Sequence, residues 1–175
     1  MTEHSDYLLI GAGIIGLAIA RELRKRHPQA SITLIEKEPD VAYHSSGRNS
    51  GVLHAGFYYS ADSLKAKFTR DGNFAMKEFC REKGLKLNEC QKVVVAKDES
   101  ELEPLYELDR RGKRNGVDVK IITEAEMKEI DPNAKTFKFA LYSPSTATVD
   151  PTEVNKAVRD ELLASGVKIY FSHGY

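Results

Sequence analysis

Cysteine is scarce in this 175-residue sequence, which contains only Cys80 and Cys90. Two thiols are too few for a disulfide framework, and neither belongs to a C-x-x-C pair or to a cysteine–histidine cluster with metal-ligand spacing. We therefore interpret both as reduced thiols and predict no metal site.

Net charge and long hydrophobic runs are also absent. Lys plus Arg and Asp plus Glu both number 26, which gives no basic surface for nucleic acid or for an acidic membrane. The longest apolar stretch, Leu8 to Ala20, is too short to span a bilayer, and Glu3 and Asp6 precede it where a secretory leader carries positive charge. These features favour a cytoplasmic protein with no nucleic-acid partner and no transmembrane segment. Peripheral membrane association stays open.

The most informative segment runs from residue 7 to residue 36. An apolar strand at residues 7–10 leads into a glycine turn, a helix to about His27, and a second strand at residues 31–36. The first glycine permits a tight turn, the second admits a diphosphate to the backbone, and the third lets the helix pack closely on the strand. The N–H groups and dipole at the helix start favour an anion. The turn consists of Gly11, Ala12, Gly13, Ile14, Ile15 and Gly16.

Glu36 stands twenty residues after Gly16, at the end of the second strand. A carboxylate there accepts hydrogen bonds from a ribose and repels a 2′-phosphate, which disfavours NADP and leaves FAD or NAD. The alternative is a strand–helix–strand unit whose glycines only make a tight turn. The spacing thus predicts a dinucleotide site.

The remaining chain predicts alternating elements. Residues 39–60 form a long loop, whose aromatic and apolar content favours a ligand-wrapping segment over disorder. Apolar periodicity and capping residues predict helices at 63–83, 99–115, 124–130 and 151–165, and strands at 93–96, 119–122, 138–142 and 167–171.

These elements predict an α/β protein with a Rossmann-like FAD-binding domain of the glutathione-reductase-type βαβ kind. Its first part covers residues 1–85, an α+β segment of a substrate domain is inserted at 86–148, and the cofactor domain resumes at 149–175. The cofactor part has three strands, fewer than a doubly wound sheet needs. We therefore expect an incomplete domain.

The loop sequence resembles a known family. The run from Arg48 through Gly56 to Tyr59, together with the glycine turn and Glu36-Lys37, is similar to FAD-dependent oxidoreductases of the D-amino-acid-oxidase type. Within that group it is most similar to L-2-hydroxyglutarate dehydrogenases and oxidases. Relatives often have Cys-Gly-Lys where this chain has Cys90-Gln91-Lys92, and a Thr-Gly-Ile run where it has Ala147-Thr148.

The resemblance implies FAD as the cofactor and assigns residues to it. The glycine turn would hold the diphosphate, Glu36 the adenosine ribose, and Ser45 and Ser46 the diphosphate or ribityl chain. Asn49, Ser50, Gly51 and His54 would approach the isoalloxazine ring. The predicted cofactor site is completed by Lys37, Arg48, Asn49, Ser50, Gly51 and His54.

Two of these residues have several interpretations. His54 is the candidate catalytic residue as a general base, but it also suits covalent flavin attachment or a purely structural role. Arg48 suits a phosphate or a substrate carboxylate, and equally a solvated loop position.

The expected activity is oxidation of a small 2-hydroxy acid to a 2-oxo acid, with hydride transfer to flavin and reoxidation by oxygen or a quinone-linked acceptor. Within the family, the alternatives are an amine or amino-acid oxidase and a glycerol-3-phosphate-type dehydrogenase. Outside enzymes, the alternative is an inactive FAD-domain remnant or binding module.

Overall fold

The computed structural model describes residues 4–175. Along the chain, its strands and helices are β1 (Tyr7–Ile10), α1 (Ile14–Arg26), β2 (Ile32–Ile35), β3 (Val52–Leu53), α2 (Leu64–Glu82), β4 (Leu87–Asn88), β5 (Lys92–Val95), α3 (Leu102–Arg114), β6 (Lys120–Thr123), α4 (Glu124–Ile130), β7 (Phe139–Ser143), β8 (Ala147–Val149), α5 (Pro151–Ala164) and β9 (Lys168–Tyr170). A 3₁₀ turn at Glu99–Glu101 precedes α3. Throughout the described residues, every helix is too short or too polar to span a bilayer.

Contacts within the chain define two compact units. The first unit contains residues 4–51 and 150–175, and the second contains residues 52–149. The first unit is therefore formed from two separate stretches of the chain. The predicted division into a cofactor domain at 1–85 and 149–175 with a substrate-domain insertion at 86–148 stays a prediction.

The first unit is built on a parallel sheet of order β1-β2-β9. Leu9 pairs with Leu34, and Leu34 pairs with Ile169. The central strand is buried on both faces, as parallel strands covered by helices usually are. Helices α1 and α5 pack against each other, and they bury Leu17 and Leu162 respectively.

Helix α5 begins as the sequence predicts. The Asp150 side chain accepts a hydrogen bond from the Thr152 backbone N–H at 2.7 Å, and Pro151 occupies the first helical position. These two features supply an acceptor for an orphan N–H group and a preset φ angle. Helix α5 is followed by β9, which is the third strand of the parallel sheet.

The second unit contains an antiparallel sheet of order β5-β7-β6. Leu141 in the central strand is fully buried between Val94 and Ile121. The capping box predicted at the start of α4 is present, with both the Thr123 and the Glu126 side chains accepting backbone N–H groups. A second antiparallel sheet of very short strands, β3-β8-β4, was not predicted.

Residues 52–85 belong to the second unit for two physical reasons. Phe57 is 1% exposed and packs in the same core as Leu105 and Leu141. On α2, the buried Asn73 amide donates to the carbonyl oxygens of Leu53 and Ser145, at 2.8 and 3.1 Å. These contacts connect the end of the predicted loop to the later strands.

Gln91 is one of the positions at which this chain departs from the family pattern. Its φ angle is +63°, a left-handed conformation that glycine adopts without strain. The backbone N–H of Gln91 donates to the Thr146 carbonyl at 3.0 Å, and its side chain accepts from the Tyr142 hydroxyl at 2.8 Å. This turn therefore has a left-handed residue that is not glycine, and two hydrogen bonds hold it.

Candidate functional site

The glycine turn lies at the carboxyl end of the parallel sheet. Ile10 and Ile35 are paired, so the ends of β1 and β2 are adjacent. Gly11 has a φ angle of +95°, and its N–H donates to the Ile35 carbonyl at 2.8 Å. Ligands of open α/β sheets bind at this edge. The glycine turn therefore lies where a dinucleotide binds in a sheet of this kind.

Two further glycines of the turn leave little room for side chains, Gly16 none and Gly13 only a crowded space. A Cβ atom at Gly16 would overlap the carbonyl oxygen of Gly11, and one at Gly13 would lie 3.1 Å from Ser46 Oγ. Gly16 therefore sets the distance between α1 and the end of β1. Gly13 keeps open the space in front of the first turn of α1.

Glu36 is held at the edge of this turn by two backbone groups. The Ala12 N–H donates to Glu36 Oε2 at 2.7 Å, and the Glu38 N–H donates to Glu36 Oε1 at 3.0 Å. A carboxylate has about four acceptor positions, so both oxygens keep a lone pair for a further donor such as a ribose hydroxyl.

The Ser46 hydroxyl is placed at the start of α1. Gly13 provides no side-chain cap for this helix. Instead, the Ile14 N–H donates to Ser46 Oγ at 3.0 Å. Since a hydroxyl accepts and donates at once, the Ser46 proton remains available to an anion in front of the helix.

These groups line one small cleft of about 40 Å³. Sites that enclose a whole ligand are usually larger, so this cleft suits one portion of a dinucleotide. The glycine-turn residues, Glu36 and Ser46 of this lining were predicted from the sequence. The other loop residues were not, because acidic and aromatic loop residues have no fixed spacing that would indicate them. The lining consists of Ala12, Gly13, Glu36, Glu38, Asp40, Ala42, Tyr43, His44 and Ser46.

The two additional acids of the cleft are both paired. His44 Nε2 lies 2.7 Å from Glu38 Oε1, and this hydrogen bond is the main reason that the pKa of Glu38 is lowered. Burial acts to raise the pKa of Asp40, but hydrogen bonds, first of all from Arg159, outweigh it and lower the pKa. Both side chains are therefore ionised and engaged at neutral pH.

The other predicted cofactor residues of the first unit lie mostly at its surface. Lys37 is exposed, with its ammonium group 3.8 Å from Glu38. Gly51 is buried, with a φ angle of +64°. Among the predicted cofactor residues of the loop, the exposed ones are Ser45, Arg48, Asn49 and Ser50.

Asn49 makes only loop contacts in this structure. Its Nδ2 donates to the carbonyl oxygens of Ser45 and Ser46, at 3.0 and 3.1 Å, and its Oδ1 accepts from the Gly51 N–H at 2.9 Å. These bonds occupy both amide protons. Its predicted approach to the isoalloxazine ring stays a prediction, and its contacts shape the loop.

His54 lies in the second unit, directly after β3. Partial burial of its ring and, to a lesser extent, the charge of Lys92 lower the pKa of His54 below 6.5. The Lys92 ammonium group lies 4.8 Å from the centre of the Tyr58 ring. His54 is therefore a neutral imidazole at physiological pH, with a cation close to it.

We expect an NMR titration of the His54 ring to show a midpoint below 6.5, because burial and Lys92 both disfavour the imidazolium. Lys92→Met should raise this midpoint partway, since the burial remains. A depressed pKa means that the unfolded chain binds the proton more readily. Stability should therefore decrease as the pH falls below 6.5. A midpoint at or above 6.5 in the unsubstituted chain would contradict this assignment.

The first unit fits a diphosphate. The Ile15 and Gly16 N–H groups belong to the first turn of α1, where helix geometry provides no internal acceptor. They point out of the positive end of the helix dipole. The Ser46 hydroxyl adds a donor, and the Glu36 carboxylate provides acceptors beside the turn.

Three relatives in sequence are named for the same activity. The chain is 40% identical over 170 residues to the mitochondrial L-2-hydroxyglutarate dehydrogenase of Nematostella vectensis, 37% identical over 166 residues to that of Homo sapiens, and 39% identical over 167 residues to the L-2-hydroxyglutarate dehydrogenase of Escherichia coli O17:K52:H18. These alignments cover 97%, 94% and 95% of this chain, but only 37%, 36% and 39% of the relatives. The chain thus spans less than two fifths of their length.

Solved structures share the fold. An L-alpha-glycerophosphate oxidase from Mycoplasma pneumoniae with FAD bound superposes with a TM-score of 0.88 at 26% identity, over 98% of this chain and 45% of that chain. A glycine oxidase from Geobacillus kaustophilus gives a TM-score of 0.84 at 25% identity, over 98% and 47%.

These comparisons confirm the predicted α/β class with its Rossmann-like domain, the resemblance to the D-amino-acid-oxidase type and FAD as the cofactor. The family described as FAD dependent oxidoreductase matches residues 6–174, which is nearly the whole chain. The glycine turn, Glu36 and the loop that follows all lie within this match. The chain therefore belongs to the FAD dependent oxidoreductase family.

Proposed function

We propose that this chain acts in an FAD-dependent oxidoreductase that converts a small 2-hydroxy acid, of the L-2-hydroxyglutarate type, to the 2-oxo acid. The observation that carries the proposal is identity of 37–40% over 94–97% of the chain with L-2-hydroxyglutarate dehydrogenases. The glycine-turn cleft supports the cofactor part of the proposal.

The first unit would hold the adenosine and diphosphate portions of FAD. The start of α1 and the Ser46 hydroxyl provide donors for the diphosphate, and Glu36 provides acceptors for the ribose. When bound, FAD supplies a hydride acceptor for the substrate carbon. The protein's part is to bind, to orient and to move the hydroxyl proton.

His54 is the proposed proton acceptor. Its lowered pKa favours the neutral ring, in which one nitrogen can accept the proton of a substrate hydroxyl. The nearby Lys92 is half-buried, and a cation in such a position suits a carboxylate of the substrate. A 2-hydroxy dicarboxylic acid presents both of the groups that this pair would recognise.

The alternatives within the family have weaker support. Glycerophosphate oxidase and glycine oxidase share the fold at 25–26% identity, whereas the dehydrogenases of a 2-hydroxy acid reach 37–40%. We therefore rank the 2-hydroxy acid above an amine, an amino acid or glycerol 3-phosphate.

The electron acceptor and the location are further parts of the proposal. Oxygen and a quinone-linked acceptor both suit a reduced flavin. A cytoplasmic location is consistent with the Escherichia coli relative, whose name gives no organelle, although the animal relatives are named as mitochondrial.

The purified chain, reconstituted with FAD, tests the proposal. We expect anaerobic L-2-hydroxyglutarate to bleach the flavin absorption band, and D-2-hydroxyglutarate, glycine and glycerol 3-phosphate to leave it unchanged. His54→Gln should slow the bleaching without releasing the flavin. The variant keeps a polar side chain of similar reach but cannot take up a proton at neutral pH.

Two outcomes would contradict the proposal in different ways. Bleaching by glycine or glycerol 3-phosphate and not by L-2-hydroxyglutarate would replace the substrate class. A yellow product that no substrate bleaches, or a colourless one, would favour the remnant or binding module.

A further inference from the structure

Asn155 connects α5 to the loop that carries Ser46. It is 2% exposed and lies 109 residues after Ser46 in the chain. Its Nδ2 donates to the Ser46 carbonyl at 3.1 Å and to the Pro151 carbonyl at 2.7 Å. One buried amide thus connects the first turn of α5 with the loop residue whose hydroxyl lies at the start of α1.

The Ser46 carbonyl is held from two sides. Asn49 Nδ2 also donates to it, at 3.1 Å, from within the loop. Both lone pairs of this oxygen are therefore engaged, and the peptide group at Ser46 is fixed. Because its backbone is fixed, the Ser46 hydroxyl is kept within hydrogen-bond distance of the Ile14 N–H.

Asn155 is an unfavourable choice for stability alone. Its Oδ1 is buried and has no hydrogen-bond partner among the described residues. Its buried neighbours along α5 are Val154, Val158 and Leu162, so an apolar side chain suits this face of the helix. An unsatisfied buried acceptor costs free energy, so the contacts of the Nδ2 group distinguish Asn155 from an apolar residue at this position.

We propose that Asn155 is a positioning residue for the diphosphate of a bound nucleotide. It holds Ser46 so that the hydroxyl accepts from Ile14 at the start of α1 and donates its own proton to a diphosphate oxygen. The ligand class is an adenine nucleotide with a diphosphate, and the inference rests on the FAD site proposed above. Adenosine, which lacks the diphosphate, would not use this contact.

Asn155→Leu tests the inference by binding rather than by turnover. We expect the affinities for ADP and FAD to fall about tenfold, and the affinity for adenosine to change less than about twofold. Calorimetry measures the first two ligands, and equilibrium dialysis with labelled adenosine measures the third. Asn155→Asp, which is isosteric and replaces the donor with an acceptor facing the Ser46 carbonyl, should cause the same selective loss.

Asn115→Leu is the matched control. Asn115 is 7% exposed, its Nδ2 donates to the carbonyl oxygens of Gly56 and Tyr59, and its Oδ1 also has no partner in the described part of the chain. It lies in the second unit. This substitution should lower stability while leaving the ratio of ADP to adenosine affinity unchanged.

Several results would overturn the inference. Asn155 variants that bind ADP as tightly as the unsubstituted chain would show that the amide has no positioning role. Equal losses for ADP and adenosine would show general loosening of the unit. If the unsubstituted chain binds neither ADP nor FAD, the proposed cofactor site is wrong, and the inference with it. Failure of L-2-hydroxyglutarate as a substrate would leave these binding results unchanged.

Discussion

Gly16→Ala should lower both FAD affinity and stability, because the new methyl group would overlap the Gly11 carbonyl oxygen. Helix α1 must then move away from the end of β1, which displaces its first-turn N–H groups from a diphosphate. Overpacking of this kind costs about 1–3 kcal/mol. We expect the free energy of unfolding to fall by about this amount, and FAD affinity to fall by about 10- to 100-fold.

Gly72→Ala provides the control for the change of residue type. Gly72 is exposed in the middle of α2, and a Cβ atom there meets nothing within 4 Å. Replacing an unhindered helical glycine should raise stability by about 0.5–1 kcal/mol and leave FAD affinity unchanged. Urea denaturation and flavin fluorescence quenching measure both quantities. If Gly16→Ala behaves like Gly72→Ala, close packing at the turn is not what Gly16 provides.

The first unit could be largely predicted because its signals are local. The strand, glycine turn and helix from residue 7 to residue 26 follow one another without interruption, and the Asp150-Pro151 cap marks the return at α5. The strands β3, β4 and β8 could not be predicted. Each has two or three residues, which is too few for an alternating pattern, and their pairing joins positions as distant as Val52 and Thr148.

The candidate site also has one part that could be predicted from the sequence and another that could not. Gly11, Gly13, Gly16 and Glu36 are specified by spacing along one segment, and the structure brings them together. The loop residues are different, because Asn49 has several acceptors within reach and its sequence context does not indicate which it bonds. The contribution of Asn155 depends on contact with a residue more than a hundred positions away. No local pattern carries that information.

Glu36→Gln should weaken ADP binding by about tenfold or more. The carboxylate accepts the Ala12 and Glu38 N–H groups on separate oxygens, whereas glutamine has one oxygen and one amide group. One backbone N–H loses its acceptor, and the bond to the ribose loses its charge. Charge-assisted hydrogen bonds contribute about 1.5–3 kcal/mol, which corresponds to about 10- to 100-fold in affinity.

Ligand pairs separate this effect from a general loss of fit. The unsubstituted chain should prefer ADP to 2′-deoxy-ADP, and Glu36→Gln should reduce that preference. The variant should also bind adenosine 2′,5′-bisphosphate better relative to ADP, since the carboxylate no longer repels a 2′-phosphate. Glu22→Gln removes the same charge from an α1 side chain paired with Arg26, and should change neither ratio. Equal weakening of ADP and 2′-deoxy-ADP by Glu36→Gln would place the carboxylate away from the ribose and make it a brace for the glycine turn alone.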